Sequence, residues 1–323
     1  MKISFYVGGL LGLALLIGIA VHSNVSAMVH VLQLGGFAVL WVIPYRAFFY
    51  LLYAIGWLAL LHPYEAANRV GLGYFFWATA VRDAVDRLLP VASVGGSLVG
   101  VRILRWRGIA GAPAAASVIV EIFLTLVAVY LFTALGLMLL AQYGTHSHEF
   151  RRVLTVFLLS LPVPVIVLVL LRSGSVFAGL KSFLLSIAGE SIASKGAASL
   201  DREIRASLHR PRGLLVAGVL QLLALCSGSL EIWFALRLFE HPIGIGAALV
   251  LESMTQAVRH IGFMIPAGLG VQEGGLIIVG HAIGIDSNTA LAVAMVKRMR
   301  EVIWGLPFLL SWQWIEGRRL RRV

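Results

Sequence analysis

Long apolar runs, broken at a few places, set the pattern of this chain. The stretches Ile3–Val21, about Val29–Leu61, Pro113–Gln142, Val153–Leu171, Leu214–Leu236 and Thr289–Ile315 are close to or above the ~20 residues a helix needs to cross a bilayer. They predict six full spans in an all-α, polytopic membrane bundle. The second exceeds that length, so Pro44 within it predicts a tilt or kink. The first resembles a signal peptide ending near Val25-Ser26-Ala27, but its apolar run is longer than the ~7 to 15 residues of a signal core, which favours a retained helix.

Two stretches break the pattern. Ile265-Pro266-Ala267-Gly268-Leu269-Gly270-Val271-Gln272-Glu273-Gly274 cannot continue a straight helix, because proline removes a donor and glycine weakens the ladder. Leu89-Pro90-Val91-Ala92-Ser93-Val94-Gly95-Gly96 repeats the same order of aliphatic, proline, small residues and glycine. Backbone left unpaired at membrane depth must be covered by protein or line a wet cavity. After Pro90 the apolar run reaches only about Leu104, and roughly 13 helical residues cover about 20 Å, short of the ~30 Å hydrocarbon core. Both stretches therefore predict re-entrant, broken-helix hairpins. They head two repeat-like halves, about 64–142 and 240–316, of a single membrane domain covering 1–323. Between them, Phe177, Leu180, Leu184 and Ile187 lie at helical spacing opposite Lys181, Ser182 and Glu190, predicting a cytoplasmic amphipathic helix at 175–210.

Charge orients this arrangement. With 59% hydrophobic and 13% charged residues and a mean hydropathy of +0.92, no soluble core is expected. The net charge of +11 reads as cytoplasmic loops of a membrane protein rather than a nucleic-acid surface. Six full spans with both hairpins re-entrant place Lys2, Arg105 to Arg107, the seven basic residues from Arg172 to Arg212, and Arg318, Arg319, Arg321 and Arg322 on one side, with both termini cytoplasmic. Three spans separate the hairpins, so they enter from opposite faces. That is an inverted repeat with a site near the midplane.

Charges recur at matched distances from the two prolines. Glu121 lies 31 residues after Pro90 and Lys297 lies 31 after Pro266; Asp83 and Arg259 each lie seven before. Ionisable groups at such depth point to function, although Glu121 and Lys297 could also pair with Arg87 or Glu301 to hold the bundle. Lys297, Arg298, Arg300 and Glu301 form the strongest cluster. Glu301 can meet Lys297 or Arg298 along the helix but neutralises only one of three cations, so net positive charge is expected at depth, and a phosphate headgroup is the economical partner. Arg82, Asp83, Asp86 and Arg87 are too many charges for a lipid-facing helix. The expected headgroup-binding set is Arg82, Arg87, Pro90, Glu121, Glu252, Arg259, Pro266, Gly268, Gly270, Gln272, Glu273, Lys297, Arg298, Arg300 and Glu301. Nothing points to a cofactor or metal: no histidine pair has zinc-helix spacing, Gly268 and Gly270 follow no strand, and neither G-x-S-x-G nor a P-loop occurs. A lone Cys226 excludes an internal disulfide.

The late stretch Pro266-Ala267-Gly268-Leu269-Gly270-Val271-Gln272-Glu273-Gly274 resembles the Pro-Gly-Gly-Leu-Gly-x-Arg-Glu-Gly hallmark of the transmembrane-region family of lysylphosphatidylglycerol synthases, also called flippase-like. Gln272 stands at the arginine. Leu89-Pro90 and Gly95 match the family's earlier element, with Gly96 at the place of an acid, and Glu121 looks like its membrane glutamate, with Ile122 at the place of the arginine often beside it. Pro44-Tyr45-Arg46 and Gly56-Trp57 are most similar to the branch encoded with bacterial hopanoid-biosynthesis genes. The resemblance implies lipid translocation across the inner membrane, with a hopanoid-related or anionic phospholipid cargo. Hopanoid-pathway proteins are its implied partners, and association with a second copy of the chain stays open. No aminoacyl-transfer domain precedes Val323, so synthesis of an aminoacylated lipid is not expected. A lipid-headgroup-modifying enzyme using Glu273 or Glu121 as base, and a non-catalytic scaffold, are the rival readings.

Overall fold

Residues 36–89, 95–142, 148–173, 190–261 and 271–321 are described by the computed structural model of the chain. Every element among them is helical, and no strand occurs among the described residues. A 3-10 turn, Gly36–Trp41, leads into α1 (Val42–Leu61). Pro44 falls in the first turn of α1, where a missing N–H removes no helical bond. The expected mid-span kink is therefore a helix start. There follow α2 (Glu65–Val70), α3 (Leu72–Leu88), α4 (Gly95–Arg105), α5 (Gly111–Gln142), α6 (His148–Ser160), α7 (Pro162–Ser173), α8 (Glu190–Leu208), α9 (Pro211–Leu238), α10 (Ile245–Ile261), α11 (Val271–Ala282) and α12 (Ser287–Leu320).

Among the described residues, four helical stretches are long and apolar enough to cross a membrane: Gly36–Leu61, Gly111–Gln142, Leu154–Ser173 and Pro211–Leu238. They coincide with four of the six expected spans, while Ile3–Val21 lies outside the described residues. The sixth, α12, has 34 residues, about 51 Å of helix, but four ionisable groups between 297 and 301 break its apolar run. The span expected as continuous at Val153–Leu171 breaks at Leu161. Pro164 removes the N–H that would have bonded the Ser160 carbonyl, and the Tyr130 hydroxyl donates to that carbonyl instead, at 3.1 Å.

Two three-helix units match element by element. Helices α3, α4 and α5 have 17, 11 and 32 residues; α10, α11 and α12 have 17, 12 and 34. The starts of α4 and α11, Gly95 and Val271, are 176 residues apart, as are those of α5 and α12, Gly111 and Ser287. Within each unit the first helix packs on the second and the second on the third, and each first helix also packs on the long helix of the other unit, α3 on α12 and α10 on α5. Glycines permit both crossings. A Cβ on Gly136 of α5 would lie 2.8 Å from Ser253 Cβ of α10, and one on Gly305 of α12 would lie 2.5 Å from Leu88 Cδ1 of α3. Helix α9 packs on α1, α5 and α10, joining the units.

Polarity is distributed as hydrocarbon requires. Leu159, Met138 and Leu215 are 76%, 70% and 69% exposed, while Glu121, Lys297, Arg300 and Glu301 are at most 5% exposed. A bilayer satisfies both groups; water would not. Basic and aromatic side chains gather at one end. Arg107 lies over Tyr74, Arg319 over Trp106 and Arg210 over Tyr64, and Arg102 of α4 is paired with Glu316 of α12. The apolar face expected on the amphipathic segment, Phe177 to Ile187, lies outside the described residues. The described helix α8 buries Ile204 and Leu208 beside Val120 of α5 and Leu171 of α7.

Candidate functional site

The cluster on α12 occupies little more than one turn, so its side chains leave the helix in different directions and meet different neighbours. Lys297 pairs with Glu252 of α10, whose other oxygen accepts from Gln256 Nε2 at 2.7 Å. Arg300 pairs with Glu231 of α9. Arg298 donates to Glu273 of α11 at 2.8 Å and to Glu301 at 3.1 Å. Glu301 also accepts from Arg87 of α3, and Arg259 of α10 approaches it to 3.6 Å. From Arg87 the network continues to Asp83 at 2.6 Å, which accepts from the Tyr50 hydroxyl at 2.8 Å and from Arg46 of α1 at 3.2 Å.

Lys297, Arg298 and Arg300 thus each have a carboxylate, contrary to the expectation that Glu301 would neutralise one of the three and leave the others unmatched. The missing acids come from α9, α10 and α11, far away in sequence. An ion in a low-dielectric interior costs several kcal/mol unless it is paired and its remaining polar atoms are bonded, and this pairing makes so dense a cluster tolerable.

A cavity of about 10 Å³, the size of one water, opens within the network. Arg46, Arg87, Arg259, Lys297 and Arg300 line it, against two carboxylates, Glu231 and Glu252. Its wall is therefore cationic although most members of the network are matched. Two polar atoms of the lining residues, Glu231 Oε1 and Arg300 Nε, are buried without a hydrogen-bond partner, as is Gln272 Nε2 nearby; such atoms mark unused binding capacity. Gly228 gives Glu252 its place, since a Cβ there would lie 2.6 Å from Glu252 Oε1.

Arg82 and Glu121 lie apart from this cavity. Arg82 Nη1 donates to Glu121 Oε2 at 2.6 Å, and its guanidinium lies 4.3 Å from the Trp57 ring centre. Trp57 is fixed in turn by a 3.1 Å bond to Ser117. Gly100 leaves room, because a Cβ there would stand 2.7 Å from Arg82 Cδ. Glu121 and Lys297 each sit ten residues after the start of their long helix. Each pairs with the first helix of its own unit, Glu121 with Arg82 and Lys297 with Glu252. Neither meets Arg87 or Glu301 as the alternative reading allowed.

At two of the positions where the chain departs from the pattern it resembles, Gly96 and Gln272, a neighbouring helix contributes the group. Gly96 carries no acid, but its amide donates to Asp86 Oδ1 at 2.8 Å, and a Cβ would crowd Asp86 Oδ2 at 2.5 Å. Gln272 carries no guanidinium, but Arg259 Nη1 donates to its Oε1 at 3.3 Å. Pro90, Pro266, Gly268 and Gly270 lie outside the described residues. Glu231 and Tyr50 were missing from the expected set. Glu231 bears the same signal as Glu121, an acid inside an apolar span, whereas Tyr50 gives none. Residues that carried the branch resemblance also pack around these ion pairs: Tyr45 donates to the Ser227 carbonyl at 2.8 Å, Arg46 reaches Asp83, and Trp57 supports Arg82. Among the described residues no group of His, Cys, Asp and Glu is placed to hold a metal.

No curated protein and no solved structure matches the chain. Residues 6–307 match the family model described as the lysylphosphatidylglycerol synthase TM region. The match extends over the first three-helix unit, the second as far as Pro307, and the ion-pair network from Arg46 to Glu301, and the chain belongs to the lysylphosphatidylglycerol synthase transmembrane-region family.

Proposed function

We propose that the protein carries a lipid with an anionic headgroup between the leaflets of the bacterial cytoplasmic membrane, and that the cationic cavity receives the headgroup. One observation carries this reading: five cations and two carboxylates line a buried cavity built by both three-helix units and by α1 and α9. Guanidinium forks suit phosphate oxygens in number and geometry. The α3–α4 and α10–α11 pairs are the re-entrant hairpins of an inverted repeat, approaching from opposite faces. Rocking one unit against the other then alternates access to the cavity. The cargo is a phosphate-bearing amphiphile, hopanoid-related if the branch resemblance carried by Arg46 and Trp57 holds, and the basic end of the bundle is cytoplasmic.

Reconstitution in liposomes with a labelled anionic lipid tests this. Arg300→Gln combined with Glu231→Gln keeps the buried shape while removing one charge of each sign, and transfer between leaflets should fall at least tenfold. The doubly substituted Arg82→Gln, Glu121→Gln protein, altered outside the cavity, should retain transfer. Equal transfer by wild type and the Arg300, Glu231 variant would overturn the assignment.

A further inference from the structure

We propose that the seam between the end of α1 and the start of α9 binds one anionic phospholipid at a site separate from the central cavity. A groove of about 330 Å³ opens there, within the range of roughly 300–1,000 Å³ common to small-molecule sites. It is two-faced. Leu60, Leu214 and Val216 form an apolar wall, and Arg210, Arg212 and His62 stand at its end. Helices α1 and α9 both belong to membrane-crossing stretches, so their ends mark the boundary between hydrocarbon and headgroups. The apolar wall is then at acyl-chain depth and the two arginines at phosphate depth.

Both arginines have capacity to spare. Arg212 is exposed and makes no ion pair among the described residues. Arg210 lies over Tyr64, 5.4 Å from the ring centre, but its Nη1 is buried with no hydrogen-bond partner. Glu203 accepts from the Tyr64 hydroxyl and forms no ion pair with either arginine. Two guanidiniums around one groove end match a phosphodiester, and the apolar wall selects a phosphate that carries an acyl chain over a free one.

Native mass spectrometry of the full chain in neutral detergent tests the site by counting retained lipids on titration with phosphatidylglycerol, phosphatidylcholine or inorganic phosphate. Wild type should retain one phosphatidylglycerol that the Arg210→Gln, Arg212→Gln protein releases at tenfold lower concentration, while the central Arg300→Gln, Glu231→Gln protein keeps it. Arg212→Gln alone, a change at an exposed side chain, should give a smaller loss with an unchanged melting temperature. Equal retention of phosphatidylcholine, displacement by inorganic phosphate alone, or unchanged retention by the Arg210, Arg212 variant would each overturn the proposal. Failure of the central variant to transport lipid bears only on the central cavity.

Discussion

The two three-helix units place an ion pair at the same point and give it opposite sign. In the first, the long helix carries the acid and the short partner the base, Glu121 with Arg82; in the second, the long helix carries the base, Lys297 with Glu252. The first pair is sealed by Trp57 and Gly100 and does not line the cavity. The second lines it together with Arg300 and Glu231. Equivalent positions therefore serve as a brace in one unit and as part of the cavity wall in the other. The duplicated architecture fixes where charge sits, and local packing decides what it touches.

The largest effect should come from the residue that ties the units together. Glu301→Ala leaves Arg87 and Arg298 short of an acid and should cost about 3–5 kcal/mol, read as a lowered melting temperature in detergent. Lys297→Met should cost a similar ~3–5 kcal/mol by stranding Glu252, whereas adding Glu252→Gln should recover most of it; a double-mutant cycle with no coupling would refute the pairing. Next come the crossings. Gly136→Ala drives a methyl into the Ser253 Cβ, while Gly305→Ala meets the movable end of Leu88. The first should cost about 1–3 kcal/mol and the second less, so equal melting temperatures would show that the two contacts do not differ in stiffness.

The smallest effect concerns how the long helices begin. Pro113 sits in the first turn of α5, whereas Asp286 caps α12, accepting from Asn288 N at 2.9 Å and Thr289 N at 3.1 Å. The Thr289 hydroxyl and amide hold the Asp286 carboxyl below its usual range. Because the folded value is depressed, its contribution is complete above the unfolded carboxylate range near pH 4 and is lost as pH falls further. Asp286→Asn should lower the melting temperature slightly at pH 7, and the gap from wild type should narrow below pH 4.

Much of this was legible along the chain. Run length after Pro90 placed α4 as a short helix, because it is a local property of the chain, while the breaks expected at Pro90 and Pro266 lie outside the described residues. Matched spacing also put Glu121 and Lys297 at one depth. The partners were not legible. Arg300 meets Glu231 across 69 positions and Arg87 meets Glu301 across 214, and helix packing alone sets such meetings. For the same reason the α12 cluster read as unbalanced until the acids of α9, α10 and α11 were placed beside it. Pro44 and the run Val153–Leu171 misled in a different way: hydropathy reports that a run is apolar, but not where a helix starts or stops within it.

The single-water cavity has a consequence for release. A pocket of bare arginines would hold a phosphate so tightly that it could not let go. Here resident carboxylates already occupy much of that capacity, so under the proposed function an arriving headgroup would displace Glu231 or Glu252 and be displaced by them in return. Each guanidinium would keep an oxyanion throughout, and the displaced carboxylate, buried as it is, would need another cation of the wall as its partner. Capture and discharge then come from one reversible exchange of partners.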